Sequence, residues 1–196
     1  MQAQEILNNF IFPESMKMIE LRNKELEGDL IIDLNKFKKL EIIILSRNKL
    51  TSINFLGDSN ELKHIDVSNN DIQPTSLEMF SRFPNLTHLR LGSYDKDNIE
   101  NGIYNRFFGS LKPLEKLSQL EKLDIRNTDI DSGLEYLPDK LVNFSEMGGE
   151  ILYKAFDCYF TRPEAKMESI FNQLTPFQTR LGNGNEDGPF HYNLKA

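Results

Sequence analysis

Apolar residues recur along the middle of the chain in a fixed figure. The segment from Leu40 to Leu50, LEIIILSRNKL, fits L-x-x-L-x-L-x-x-N-x-L with Leu40, Ile43, Leu45, Asn48 and Leu50. The segment from Leu62 to Ile72, LKHIDVSNNDI, fits it with Leu62, Ile65, Val67, Asn70 and Ile72. Asn48 and Asn70 lie 22 residues apart, which makes this an internal repeat. The frame extends upstream through Met16, Ile19, Leu21 and Leu26, with Lys24 at the asparagine position. Downstream it continues through Leu86, Leu89 and Leu91, with Tyr94 at that position, and through Leu120, Leu123, Ile125 and Ile130, with Thr128. A degenerate unit from Leu141 through Phe144 to Ile151 follows.

The figure predicts one short strand per repeat, with the apolar pair pointing inward. The asparagine turns the chain and satisfies backbone groups that the turn leaves unpaired. One repeat cannot bury its apolar face alone, so successive strands stack into a parallel sheet on a concave side, with the return segments on a convex side. In the returns, Leu77, Phe80, Phe83 and Leu86, then Leu111, Leu114, Leu117, Leu120 and Leu123, recur every third residue. That period predicts short helical turns, kept short by Pro84 and Pro113. From Tyr94 to Thr128 the spacing is 34 residues. The surplus is assigned to an insertion at 98–110, whose Ile103, Tyr104, Phe107 and Phe108 either cover the convex core or protrude as a contact loop. Ala3, Ile6, Leu7 and Phe10 stand at helical spacing, as do Met167, Ile170, Phe171 and Leu174. The expected organisation is an α/β solenoid. A capping helix over 1–15 precedes five to six repeats over 16–155, and a second capping helix over 156–180 is followed by a flexible tail over 181–196.

Composition narrows the functional classes. A net charge of −7 argues against general nucleic-acid binding and against docking on anionic membranes. The single cysteine, Cys158, permits no internal disulfide, and the first ten residues carry neither a basic nor an apolar leader region. Together these point to a cytoplasmic protein. No cofactor is implied. Gly-x-Ser-x-Gly, His-Glu-x-x-His and the kinase signatures are missing, so no enzyme activity is expected. Asn183, Asn185, Asp187 and Gly188 imitate the start of a calcium loop, but Leu194 stands where a bidentate acid is needed.

The repeats resemble the leucine-rich-repeat superfamily over roughly residues 16–151. Three phrases, Asn127 to Pro138, Gly102 to Phe107 and Leu26 to Leu30, resemble expanded fungal families of cytoplasmic repeat proteins. The resemblance implies scaffold or recognition work and names no ligand.

On the expected concave face, one column of variable positions reads Met18, Ile42, His64, His88, Lys122. The next reads Glu20, Ile44, Asp66, Arg90, Asp124, and a third reads Arg22, Ser46, Ser68, Gly92, Arg126. These side chains are expected to stand in solvent. Ile42, Ile44, His64, Asp66, His88, Arg90, Asp124 and Arg126 are the candidate residues for binding a protein or peptide, against the plainer possibility of an ordinary solvated face; Asn48 and Asn70 are structural. Adjacent histidines could share a metal with Asp66, but Arg90 opposes a cation and a catalytic zinc site takes three protein ligands. Their closeness should lower the tendency of the second ring to protonate. Alternatives to a free-standing binding module are a recognition or regulatory part of a larger assembly, such as a ubiquitin ligase or a kinase-associated complex, and an inactive fragment of a longer repeat protein. The stretch before the first repeat is too short for an F-box.

Overall fold

Each L-x-L pair gives a three-residue strand, and five of these stack in register. The computed structural model describes residues 2–133, 136–138 and 141, and the backbone of 150–152. Strands β1 (Met18–Glu20), β3 (Ile42–Ile44), β5 (His64–Asp66), β6 (His88–Arg90), β8 (Lys122–Asp124) and β10 (Glu150–Leu152) form one six-stranded sheet in the order β1-β3-β5-β6-β8-β10. All its pairs are parallel. This is a parallel β solenoid of about five turns. The central residue of each strand points inward, so Ile19, Ile43, Ile65, Leu89 and Leu123 form a fully buried row. Parallel rows Leu40–Leu62–Leu86–Leu120, Leu45–Val67–Leu91–Ile125 and Leu26–Leu50–Ile72–Phe107–Ile130 complete a continuous core.

Two features of the returns differ from expectation. In the first two turns the return is extended: β2 (Glu27–Asp33) pairs in parallel with β4 (Lys49–Leu56). Leu30 and Ile32 on β2, and Ile53 and Phe55 on β4, alternate inward, so the period there is two and a strand forms. Only further on do helical returns appear, as the 3₁₀ turns Glu78–Phe80 and Lys112–Leu114. Phe80 and Phe83 pack edge-on against Phe55 from the neighbouring turn. A second small parallel pair joins β7 (Phe108–Ser110) to β9 (Asp129–Ser132).

The other difference is the place of the insertion. Asn48 donates through Nδ2 to the carbonyls of Leu45 and, one turn back, Leu21, both at 2.8 Å. Its Oδ1 accepts from the backbone N–H of Lys24 and Leu26. Asn70 repeats the pattern on Val67, Leu45 and Leu50. In the next turn Tyr94 does not take this place. Asn105, wholly buried, donates to Leu91 and Val67 at 2.8 Å and accepts from Ile72 N–H. The extra chain is therefore 94–104, containing α2 (Lys96–Glu100), and the solenoid resumes at Asn105. Phe107 belongs to the core row, whereas Ile103 and Phe108 are exposed. Thr128 retains half of the asparagine's work by donating to Ile125 O at 2.8 Å.

At the start, α1 (Ala3–Asn8) buries Ala3 and Leu7. Phe10 meets Phe37 edge-on, and Gln4 Oε1 accepts from Ile31 N–H on β2 at 2.7 Å. In the last unit Ile151, not Phe144, is the register partner of Leu123. Phe144, the expected helix over 156–180, the tail over 181–196 and Cys158 lie outside the described residues.

Candidate functional site

The outer face of the six-stranded sheet displays the residues flanking each inward-pointing centre. Register aligns Met18, Ile42, His64, His88 and Lys122 in one column, and Glu20, Ile44, Asp66, Arg90 and Asp124 in the next. Sheet periodicity alone places these side chains on one face.

Their environments differ along the columns. Met18 is exposed, and Ile42 and Ile44 are half-buried, which makes an apolar stretch over the first turns. His64 and His88 stack with ring centres 5.2 Å apart. His88 Nδ1 lies 2.9 Å from Thr87 Oγ1, while His64 Nε2 is closed off from solvent without a hydrogen-bond partner. Burial, then the positive charge of His88, pushes His64 below its ordinary value of 6.5; Arg90 and Arg22 act the same way and Asp66 opposes them.

Asp66 and Asp124 were expected in solvent and are instead 2% and 1% exposed. Each folds back on its own turn. Asp66 Oδ1 accepts from Ser68 N–H at 3.0 Å and from Ser68 Oγ at 2.6 Å. Asp124 Oδ1 accepts from Arg126 N–H at 3.1 Å, and the Arg126 guanidinium grips both carboxylate oxygens, with Nε at 2.9 Å. An aspartate that accepts the N–H two residues on makes an Asx-turn, so its charge serves the turn. Gly92 makes this possible: a Cβ there would stand 2.5 Å from Asp124 Oδ1 and 2.7 Å from Arg126 N. Arg22 reaches Asp66 at 3.9 Å.

Beyond the strand ends lies a row of left-handed residues, Asn23, Arg47, Asn69 and Asn127, with φ between 51° and 59°. Asparagine tolerates this conformation and arginine rarely adopts it. The Arg47 guanidinium lies 5.8 Å from the centre of the Tyr94 ring, and that of Arg126 lies 4.9 Å from it. Tyr94 opens the inserted segment and is tied down by its N–H, which donates to Asn69 Oδ1 at 2.8 Å. Pattern reading assigned Tyr94 to the ladder and gave Arg47 no role. The signal for the former lay in Asn105-x-Phe107, which repeats Asn48-x-Leu50. On the approach to the strands, Glu41 accepts from Lys63 at 2.7 Å and from Lys17 at 2.9 Å, which holds its carboxyl down to about 2.

Among the described residues no group of three or more His, Cys, Asp or Glu is arranged to hold a metal ion, and no helix is long and apolar enough to cross a membrane. The fold and face define a repeat solenoid with one open, residue-diverse sheet. No protein-family model matches the sequence.

Proposed function

We propose that the chain is a non-catalytic recognition module of the leucine-rich-repeat type, allied to the expanded fungal cytoplasmic families, and that it binds a protein or peptide across the six-stranded sheet. The observation that carries this reading is the alignment of apolar Met18, Ile42 and Ile44 with Arg90 of a later turn on one continuous face. Mixed apolar and arginine surface is the composition from which interface hot spots are built, and stacked repeats supply a long surface for an extended partner.

The test is a quantitative pull-down from cell lysate with the wild type, Ile44→Glu on the sheet face and Lys38→Glu on a return segment, each first shown to be folded. The expected outcome is a specific partner retained by wild type and Lys38→Glu and lost by Ile44→Glu. A partner retained by Ile44→Glu, or lost equally in both variants, contradicts the placement on the sheet.

A further inference from the structure

Buried polar groups in folded proteins nearly always find partners, and those that do not ask for an explanation. His64 Nε2 is closed off from solvent and has no hydrogen-bond partner. Its ring stacks on that of His88, with centres 5.2 Å apart and planes 33° from parallel. The second ring's protonation follows from its neighbour. Thr87 Oγ1 gives its one proton to Lys63 O at 2.8 Å, so it accepts from His88 Nδ1 at 2.9 Å. Neutral His88 therefore carries its proton on Nδ1. Register sets both rings in the column Met18, Ile42, His64, His88, Lys122. While both are neutral, the first four positions of that column present apolar or uncharged aromatic surface, one strand spacing of about 4.8 Å after another. An imidazolium donates from both ring nitrogens. Proton uptake by His64 thus leaves a charged N–H at Nε2 without an acceptor, which is costly.

The strands around the pair do not supply that acceptor. Glu20 on β1 lies two strands from His64, and β3 between them offers Ile42 and Ile44. Asp66 on β5 is engaged by Ser68, and Asp124 on β8 by Arg126. On the approach, Glu41 is held by Lys63 and Lys17, and Glu121 follows in the same row, its N–H on Thr87 O. Arg22, Arg90 and Lys122 are cations. We propose that the His64–His88 stack is a proton gate on the sheet face: the partner docks over the neutral pair, and proton uptake by His64 releases it. The inference rests on the sheet-face reading above and adds its regulation. A partner seated on the face takes the rings further from water, where the charged form is less stable, so docking and protonation compete. Burial, then the charge of His88, holds His64 below its ordinary value of 6.5. Affinity is therefore level above that pH and falls below it, by at most about tenfold per pH unit for one displaced proton.

The experiment probes arrays of random decapeptides without histidine at pH 7.5, 6.5 and 5.5, with the full chain as wild type, His64→Phe, His88→Gln and Ile44→Glu. Circular dichroism checks the fold at each pH. The expected result is equal wild-type binding at pH 7.5 and 6.5 and a severalfold fall at 5.5. His64→Phe, which keeps a ring and loses the proton site, should bind equally at all three. His88→Gln removes a charge that holds His64 down and should move the fall to higher pH, which decides the matter should His64→Phe not fold. A fall unchanged in His64→Phe, or one that His88→Gln leaves in place, overturns the gate, as does binding that strengthens in acid. Binding that is level with pH in the wild type and lost in Ile44→Glu overturns the gate and leaves the sheet-face reading standing. Binding indifferent to Ile44→Glu, or no binding to any peptide, overturns both.

Discussion

Asn105 shows how one side chain holds a turn in place. Its amide donates to two carbonyls from successive turns and its oxygen accepts a third backbone group, so its removal leaves buried polar groups without partners. Each such loss costs about 1–3 kcal/mol. Asn105→Ala is therefore expected to destabilise the chain by roughly as much as Asn70→Ala, about 2–4 kcal/mol in urea unfolding. Tyr94→Ala, on an exposed ring, should cost under about 1 kcal/mol. Equal costs for Asn105→Ala and Tyr94→Ala would return the ladder to the frame counted from the strand. The core rows were legible in the sequence because inward positions recur at fixed spacing from each strand. Asn105 was not, because that count runs three residues past Leu91 and an insertion breaks it there. The burial of Asp66 and Asp124 escaped the pattern for a related reason: alternation assigns a face, whereas the hydrogen bond to the N–H two residues on decides whether the charge reaches water.

At the scale of elements, β5 and β6 bring two imidazoles into contact under flanking arginines. The folded-state value of His64 is lowered, so as pH falls the unfolded chain takes up the proton first. Stability from the neutral ring is complete above about 6.5, the ordinary histidine value, and declines as pH falls below it toward the depressed folded value. The urea midpoint should drop between pH 7.5 and 5.5, and His64→Phe should flatten that drop. In NMR titrations His88→Gln should raise the His64 midpoint toward 6.5, because the charge of His88 is the second cause after burial. A His64 ring titrating at or above its ordinary value in the wild type contradicts the packing described. The paired columns themselves followed from the repeat register alone. Strands β2 and β4 were hidden because the asparagine figure says nothing about the return, although Leu30-x-Ile32 and Ile53-x-Phe55 carry strand alternation.

Across the whole molecule, each turn leans only on its neighbours, and the stability of such an array is close to a sum of turns and interfaces. Residues 94–104 leave this array after Ser93 and return to it at Asn105. Joining Ser93 to Asn105 shortens the Asn70–Asn105 spacing from 35 to 24 residues, near the 23 between Asn105 and Thr128. The insertion is thus an excursion from a regular solenoid, and it carries Tyr94 to the row beyond the strand ends, beside Arg47 and Arg126. Excision of 94–104, followed by urea unfolding and partner capture on the same preparation, tests the central claim most directly. A single cooperative transition with partner capture lost is the predicted result. An unfolded chain contradicts the solenoid frame, and a folded chain that captures its partner unchanged contradicts the placement of recognition at this site.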